Sequence, residues 1–281
     1  MLLDGSFEWL LHVHHTVDAW ERENVRSEIR TSRFGTPTRL PTMQTALITG
    51  GNRGIGLAVA RRLAALDLTV IIAARREQDA RAAAEEVGAR GVVLDVTVPA
   101  TIHAAARWID DEFGSLDVLV NNAGILPEVT NSEPKEIVDL AMFERTFATN
   151  LFGPVAVLEA MLPLLRRSAG GRVVNVSSTM GSLADQTNPS SPYYSMVMPA
   201  YQSSKAALNN ITIALAKQLT DTTIKVTSVC PGFVRTDLTP ISREQAPTSP
   251  EEAAEVVVQA ATLPATAETG TFVGAGGAIA W

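Results

Sequence analysis

A tyrosine and a lysine four residues apart are the residues of this chain best suited to chemistry. Tyr201 and Lys205 stand in the segment Ala-Tyr-Gln-Ser-Ser-Lys-Ala. On a helix this spacing places both side chains on one face, so an ammonium group lies beside a phenol and favours its ionised form. A phenol tuned in this way donates and accepts protons. The pair alone is equally compatible with a half-buried tyrosine beside a solvated lysine.

A glycine-rich turn provides the second signal. Thr45–Thr49 is predicted to be a short buried strand, and apolar residues then recur at the spacing of a helix face. The glycines between strand and helix are Gly50, Gly54 and Gly56. They leave room for a pyrophosphate, which the first helical N–H groups would face. The spacing G-x-x-x-G-x-G differs from the commoner G-x-G-x-x-G, and a plain tight turn is the alternative, but the strand–turn–helix context favours dinucleotide binding.

These two motifs make the chain resemble the short-chain dehydrogenase/reductase family, in particular its carbonyl reductases. Further residues fall in the order of that family, namely Thr49, Asn121-Asn-Ala-Gly124, Asn150, Ser178, Tyr201, Lys205 and Pro231-Gly232. The resemblance covers about residue 43 to the C-terminus. It implies reversible, NADPH-dependent reduction of a small apolar ketone or aldehyde to an alcohol. The alternative is a catalytically silent NADP-binding sensor or scaffold of the same fold.

The resemblance also implies the roles of the catalytic residues. Ser178 would hydrogen-bond the substrate carbonyl oxygen, and it is preferred over Ser177 because Gly181 follows three residues later. Tyr201 would give its proton to that oxygen as general acid, or take it back as general base. Lys205 would lower the pKa of the phenol and hold the nicotinamide ribose. Neither serine has the G-x-S-x-G context of a nucleophile.

Asn150 matches the fourth catalytic position of the family. Pro154 lacks an N–H group, so in a helix the carbonyl group of Asn150 would have no partner four residues on. Such a carbonyl can hold a water, which the resemblance places on a proton path from the lysine to solvent. A simple helix kink is the alternative.

The choice of cofactor depends on the end of the second strand. Arg75 stands where an NAD enzyme usually has a carboxylate, and Arg53 adds a second positive charge, so NADP with its 2′-phosphate is favoured. Asp95 resembles an adenine-binding aspartate, although it could equally cap the turn before Thr97. The expected cofactor contacts are Gly50, Asn52, Arg53, Gly54, Ile55, Gly56, Arg75, Asp95, Val96, Asn122, Ala123, Gly124, Tyr201, Lys205, Pro231, Gly232, Val234 and Thr236.

Apolar runs alternate with helical segments along the rest of the chain. The predicted strands after the first are Leu68–Ala74, Gly91–Val96, Leu116–Asn121, Arg172–Ser177, Ile224–Cys230 and Thr271–Val273. This alternation predicts an α/β protein with a Rossmann-type, doubly wound parallel sheet in a single domain, residues 43–281. Ligands would bind beyond the carboxyl ends of the strands.

Residues 1–42 do not fit this plan and are interpreted as an N-terminal extension. Either the segment contains an appended helix, Phe7–Ile29, or the native start is Met43, which stands where many proteins of the family begin. The second alternative is preferred. The histidines at 12, 14 and 15 lack further ligands at metal-site spacing, so no metal is expected.

Composition limits the classes of partner. With 281 residues, 46% of them hydrophobic, the chain can bury one sizeable core, and its net charge of −7 argues against nucleic acid. No uninterrupted apolar stretch is long enough for a membrane span, so a soluble, cytoplasmic protein is expected. The single cysteine, Cys230, is interpreted as a buried thiol. Homo-oligomer formation is left open.

The stretch between Ser178 and Tyr201 is longer than is common in the family. Ser182–Ala200 contains prolines at 189, 192 and 199, so it cannot be one continuous helix. We expect an ordered loop that forms one wall of the substrate pocket, with a solvated surface insertion as the alternative. Its candidate lining residues are Tyr193, Tyr194, Met196 and Met198. The short segment Asp237–Ser249 leaves little room for a helical lid.

Overall fold

The central feature of the fold is an eight-stranded sheet. The computed structural model describes residues 44–131 and 138–281. The strands are β1 Thr45–Thr49, β2 Thr69–Ala74, β3 Arg90–Val93, β4 Val118–Asn121, β5 Arg172–Val176, β6 Lys225–Cys230, β7 Thr271–Gly274 and β8 Gly277–Ala278. Their order is β3-β2-β1-β4-β5-β6-β7-β8, and all pairs are parallel except β7–β8. The predicted Rossmann-type α/β fold is confirmed.

Helices connect and cover these strands. They are α1 Gly54–Ala64, α2 Glu77–Val87, α3 Pro99–Phe113, α4 Leu140–Phe147, α5 Gly153–Leu165, α6 Leu183–Gln186, α7 Pro199–Gln218, α8 Pro240–Gln245 and α9 Pro250–Ala261. Short 3₁₀ segments occur at Pro127–Thr130 and Thr179–Gly181, and a π-helical turn at Ala148–Phe152 joins α4 to α5.

Two hydrophobic cores lie on opposite faces of the sheet. On one face α1 and α9 pack over every second residue of β1 and β4, for example Ile48 and Val120. On the other face α3, α5 and the end of α7 pack over the alternate residues, for example Leu47 and Leu119. Because residues next to each other in a strand point to opposite faces, both cores require strands that are buried throughout and mainly apolar. The buried pattern of β1, β4 and β5 meets that requirement.

The predicted strand ends differ from the observed ones most at β3. We expected a strand over Gly91–Val96, but pairing with β2 ends at Val93. Beyond it the main-chain N–H of Asp95 donates to Thr101 Oγ1, which turns the chain towards α3. Polar contacts of this kind are not visible in a pattern of apolar residues.

One helical stretch is long and apolar, although charged residues at 144, 145 and 159 interrupt it, so the expectation that no uninterrupted apolar stretch could span a membrane is not contradicted. Leu140–Leu165 is long and apolar enough by length and composition, with a mean hydropathy of 1.5 in its best window. Its inward side chains, including Val157, Met161 and Leu165, are fully buried in the core beneath β4. The core helix of a folded domain satisfies the same criterion, and the packing of this stretch is of that kind.

Candidate active site

The glycine turn lies between β1 and α1, at the point where the strand order reverses from β1 to β4. Gly54 has φ of +54°, a conformation that other residues rarely adopt, and it packs against Thr236. At Gly56 a Cβ atom would lie 2.6 Å from the carbonyl oxygen of Gly50, so no side chain fits. The turn therefore brings main-chain N–H groups and an open helix N-terminus to one concave surface, the arrangement that binds phosphate.

Two polar residues hold this turn to the neighbouring strand. Thr49 Oγ1 accepts hydrogen bonds from the N–H groups of Asn122 and Ala123, at 3.0 and 3.1 Å. The amide of Asn122 donates to the carbonyls of Thr49 and Gly50. Asn122 thus shapes the glycine turn with its side chain. The sequence identified Thr49 only as a position shared with the family. The available signal for its role was a polar residue directly after the apolar residues Ala46–Ile48.

The end of β2 carries two adjacent arginines in different states. Arg76 forms a bidentate pair with Asp79, at 2.7 and 3.0 Å, and this pair raises the pKa of its guanidinium. Arg75 is exposed and forms no ion pair with any residue of the described ranges. Arg53 is exposed and lies 3.7 Å from a carboxylate oxygen of Asp237. Arg75 is therefore the cation of this group that is free for a ligand phosphate.

Asp95 and Val96 follow β3 at the same edge of the sheet. Asp95 Oδ1 accepts hydrogen bonds from the main-chain N–H and the hydroxyl of Thr97, at 2.9 and 2.7 Å. The alternative considered for Asp95, a cap on this turn, is thus present. Val96 is buried and packs so closely on Gly153 that a Cβ there would lie 2.8 Å away. The side chain of Val96 belongs to the core, so only its main chain is available for the predicted cofactor contact.

Helix α7 carries the tyrosine and the lysine, as their spacing predicted. Tyr201 is 8% exposed and Lys205 is 5% exposed. The Lys205 ammonium donates to the carbonyl oxygen of Val176 at 2.7 Å, and it lies 5.7 Å from the centre of the Tyr201 ring. The two groups share a buried face beside the carboxyl end of β5, so the predicted proximity of Tyr201 and Lys205 is present in the structure.

Protonation in the site is governed first by burial. Burial raises the pKa of the Tyr201 phenol above its ordinary value, the nearby Cys230 adds to this, and a hydrogen bond with Ser178 lowers it. Burial lowers the pKa of Lys205 to about 8, and Cys230 opposes that change. We expected Lys205 to lower the phenol pKa. Burial raises it instead, because a buried phenolate loses its hydration, and the group that lowers the pKa is Ser178 and not Lys205.

Adjacent serines at the end of β5 face different neighbours. Ser178 is partly exposed, its oxygen accepts the N–H of Met180, and its hydroxyl lies near enough to the Tyr201 phenol to lower the pKa of that phenol. Ser177 is 3% exposed and donates to Asn209 at 2.7 Å. The structure therefore brings Ser178, and not Ser177, to the phenol.

Asn150 lies in the π-helical turn at Ala148–Phe152 and is completely buried. Its side chain accepts the N–H of Ile125 and donates to the carbonyl of the same residue, both at 2.9 Å. It also donates to Ser204 Oγ on α7 at 3.2 Å. The predicted disruption before Pro154 is present as a change from four-residue to five-residue steps, and π-turns are frequent at functional sites.

Gly124 lies beside both groups that the lysine relay requires. A Cβ atom at this position would be 3.5 Å from Asn150 Oδ1 and 3.8 Å from Lys205 Nζ. The segment after β4 therefore runs directly over Lys205. The structure thus gathers Gly124, Asn150, Ser178, Tyr201 and Lys205 at one edge of the sheet.

A chain of buried polar residues beneath this edge was not recognised from sequence. Asn121 donates to Asn175, Asn175 donates to Thr212, and Thr212 is 2.8 Å from Ser228. These residues join β4, β5, α7 and β6 and are at most 3% exposed. An asparagine inside an apolar strand and a threonine seven positions after Lys205 were the available signals. The chain fixes α7 on the sheet and so supports the residues above it.

The loop after β6 reaches from the neighbourhood of Thr179 to the glycine turn. Cys230 is 7% exposed, as expected for a buried thiol, and accepts hydrogen bonds from the N–H and hydroxyl of Thr179. Gly232 has φ of +86°, Val234 is buried, and Thr236 contacts Gly54. A cavity of about 540 Å³ opens between this loop, α9 and the β7–β8 hairpin. Tyr201 and Ser178 do not line it, so it adjoins the site without containing it.

The Ser182–Ala200 stretch is not one helix, as its prolines predicted. It contains α6 and then a series of turns, held by Ser191 Oγ donating to Asp185 at 2.6 Å. Burial raises the pKa of Tyr193, and Cys230 and Asp185 add to the rise, so this half-buried phenol lies in the neighbourhood of the end of β6. Tyr194 and Met196 are 51% and 41% exposed. On the far side α8 occupies Pro240–Gln245, a short helix where we expected little room for one.

The fold and the site define the class of this protein. A parallel sheet with a glycine turn at its switch point and a helix N-terminus facing the crevice is a dinucleotide-binding Rossmann fold. A family model described as short chain dehydrogenase matches residues 44–247. The chain belongs to the short-chain dehydrogenase family and is an oxidoreductase of that kind.

Several characterised relatives are similar over most of this chain. It is 35% identical to the short-chain dehydrogenase anuI of Penicillium roqueforti, covering 79% of this chain and 89% of the relative. It is 32% identical to (+)-neomenthol dehydrogenase of Arabidopsis thaliana, covering 79% and 93%. Among solved structures, NADPH-bound carbonyl reductase from chicken fatty liver superposes with a TM-score of 0.71 at 27% identity, covering 85% and 99%. The expected carbonyl-reductase-like kinship is confirmed.

Proposed function

We propose that this protein reduces a ketone or aldehyde to an alcohol, reversibly, with NADPH as cofactor and Tyr201 as general acid and base. The observation that carries the proposal is the meeting of Ser178, Tyr201 and Lys205 at the carboxyl end of β5. A protein that only bound the cofactor would not require a serine on the phenol. The similarity to an NADPH-bound carbonyl reductase supports the same activity.

The residues present fit a dinucleotide with a 2′-phosphate. The turn at Gly54 and Gly56 offers main-chain donors and no side chain to obstruct a pyrophosphate. Arg75, exposed and free of ion pairs with the described residues, would hold the 2′-phosphate. Lys205 would hold the nicotinamide ribose, and the loop from Pro231 to Thr236 would contact the nicotinamide end. When bound, NADPH supplies the hydride.

In the mechanism Ser178 donates a hydrogen bond to the substrate carbonyl oxygen and thereby polarises the carbonyl group. Tyr201 transfers its proton to the same oxygen. Since its pKa is raised, the phenol is protonated at neutral pH and is ready to act as an acid in the reduction. Lys205 stabilises the phenolate that remains, and Asn150 holds the segment over the lysine through Ile125.

The site also indicates the type of substrate. Tyr193 is half-buried, and the buried Cys230 is near enough to raise the pKa of both Tyr193 and Tyr201, so Tyr193 and Cys230 are both mainly apolar groups in the neighbourhood of the Tyr201 phenol. We therefore propose a small to medium apolar carbonyl compound. Cytoplasmic location, homo-oligomer formation and the role of residues 1–42 as an extension remain predictions from the sequence.

The test is NADPH consumption by the purified protein against a panel of ketones, aldehydes and quinones. Ser178→Ala and Ser177→Ala are a matched pair, because the same hydroxyl is removed one residue apart, and Ser178 affects the pKa of the phenol whereas Ser177 donates to Asn209. We expect Ser178→Ala to lose about 10²-fold or more in kcat, and Ser177→Ala to retain most of it in the folded fraction. If NADPH binds but no substrate in the panel is reduced, the sensor or scaffold alternative is favoured.

A further inference from the structure

The first turn of α7 receives its N-terminal cap from a distant segment. The main-chain N–H groups of Ala200 and Tyr201 donate to Glu128 Oε1 and Oε2, at 3.0 and 2.7 Å. Glu128 lies 72 and 73 positions earlier in the sequence, in the 3₁₀ segment Pro127–Thr130. Helices normally take such caps from the residue just before them. Where other described helices have a side-chain cap, it comes from that residue, as with Asp139 on α4 and Ser249 on α9.

The local sequence of α7 explains why a distant cap is required. Met198 occupies the N-cap position and its thioether cannot replace an oxygen acceptor. Pro199 has no N–H, and the N–H of Gln202 already donates to the Met198 carbonyl. The two remaining donors are those of Ala200 and Tyr201, and the carboxylate of Glu128 accepts both. A negative charge at a helix N-terminus is stabilised further by the helix dipole.

The same segment is also linked to the main-chain carbonyl group of Tyr201. Ser204 Oγ donates to the Tyr201 carbonyl at 2.7 Å and accepts from Asn150, which in turn holds Ile125. The main chain of Tyr201 is therefore held at its N–H by Glu128 and, through two side chains, at its carbonyl by Ile125. Both contacts originate between residues 125 and 128, directly after the segment expected to support the cofactor.

We propose that Glu128 is a positioning residue for the catalytic reaction. It sets the first turn of α7, and with it the Tyr201 phenol, relative to the cofactor-supporting segment Asn122–Gly124. Glu128 contacts no reacting atom; it acts through the main chain of Tyr201. This inference rests on the proposed function, because it assigns Tyr201 the proton transfer.

The experiment compares Glu128→Ala and Glu128→Gln with Asp139→Asn. Asp139 is the matched control, since it is a partly buried carboxylate that accepts a first-turn N–H on a helix without proposed site residues. A misplacement of about 1 Å can cost about 10²-fold in rate. We expect kcat to fall roughly ten- to a hundredfold in Glu128→Ala and less in Glu128→Gln, which keeps one acceptor. The KM for NADPH should stay within about threefold, and Asp139→Asn should stay within about twofold of wild type in kcat.

Two further measurements separate positioning from a general structural role. In a Tyr201→Phe background, Glu128→Ala should cause no additional loss of the residual rate, because the residue through which it acts has lost its proton. Amide hydrogen exchange at Ala200 and Tyr201 should become about tenfold faster or more in Glu128→Ala, while exchange in β5 is unchanged. If Glu128→Ala does not fold, Glu128→Gln is measured in the same way.

The outcomes are distinct. Unchanged exchange at Ala200 and Tyr201 would overturn the cap itself. Faster exchange with kcat within threefold of wild type would overturn the positioning role, as would an equal loss of rate in the Tyr201→Phe background. If the wild-type protein reduces no carbonyl compound in the panel, the proposed function fails, and Glu128 is then judged by hydrogen exchange alone.

Discussion

The site consists of two halves that are built in different ways. The cofactor half, comprising the glycine turn Gly50–Gly56 and Arg75, offers main-chain groups and exposed cations. The catalytic half, comprising Asn150, Ser178, Tyr201 and Lys205, depends on side chains of which three are at least nine-tenths buried. The cofactor half should therefore tolerate charge changes that alter binding alone. In the proposed catalytic half the three buried side chains also contribute to packing, so substitutions there should couple activity to stability.

The largest expected effect is in the catalytic half. Tyr201→Phe removes only the transferable proton, so kcat should fall by about 10²–10⁴-fold while affinity for NADPH stays nearly unchanged. Steady-state kinetics and fluorescence titration with NADPH measure the two quantities. Activity within threefold of wild type would show that Tyr201 is not the acid. A large loss of NADPH affinity would show that the two halves are not separable.

The corresponding change in the cofactor half is Arg75→Asp, which replaces a phosphate partner with a repelling charge. A charge-assisted pair contributes on the order of 1.5–3 kcal/mol, so preference should shift from NADPH towards NADH by roughly ten- to a hundredfold. Arg76→Asp is the matched control, because that guanidinium is engaged by Asp79. The melting temperature should hardly change in either variant. If the wild-type protein already binds NADH more tightly, the cofactor assignment is wrong.

A pH dependence should reveal where the halves meet. Burial lowers the pKa of Lys205 to about 8, so its ammonium is charged below that pH and loses its charge as the pH rises through it. If the charged form is needed to hold the anionic cofactor, NADPH affinity should fall above pH 8 by up to about tenfold per pH unit. Lys205→Met should bind weakly at every pH with a flat profile. A flat profile in the wild-type protein would contradict this role.

A smaller effect is expected at the substrate side of the catalytic half. Tyr193 is half-buried and its pKa is raised in part by Cys230, whereas the adjacent Tyr194 is 51% exposed. Tyr193→Ala should change the ranking of apolar ketones by kcat/KM about tenfold, a typical magnitude for a pocket contact, and leave NADPH binding unchanged. Tyr194→Ala should leave the ranking as it is. The same ranking in both variants would identify the loop as a surface insertion.

The smallest effect is expected outside both halves. A chain that starts at Met43 should fold and remain active, because every proposed site residue lies beyond residue 42. Its melting temperature should lie within a few degrees of that of the full chain, which corresponds to a change of about 1 kcal/mol or less in the free energy of unfolding. Its specific activity should lie within about twofold of that of the full chain. Loss of folding would show that the extension is part of the structure.

Local features of the sequence determined much of this protein. Apolar runs separated by helical segments were sufficient to predict the sheet, because strands buried on both faces must be mainly apolar. The four-residue spacing of Tyr201 and Lys205 was sufficient for their pairing, because one helix carries both. The prolines of Ser182–Ala200 were sufficient to exclude a continuous helix, because proline lacks the N–H that a helix interior uses.

The tertiary structure decided whatever depends on groups far apart in the chain. The bond of Glu128 to Tyr201 spans 73 positions, and the links from Asn150 to Ile125 and to Ser204 span 25 and 54. No local pattern encodes such pairs. The pKa values of Tyr201 and Lys205 also depend first on the burial of both groups, which the spacing of the two residues could not reveal. The sequence determines which groups one helix or one strand presents, whereas packing decides which distant groups meet them and how much water remains.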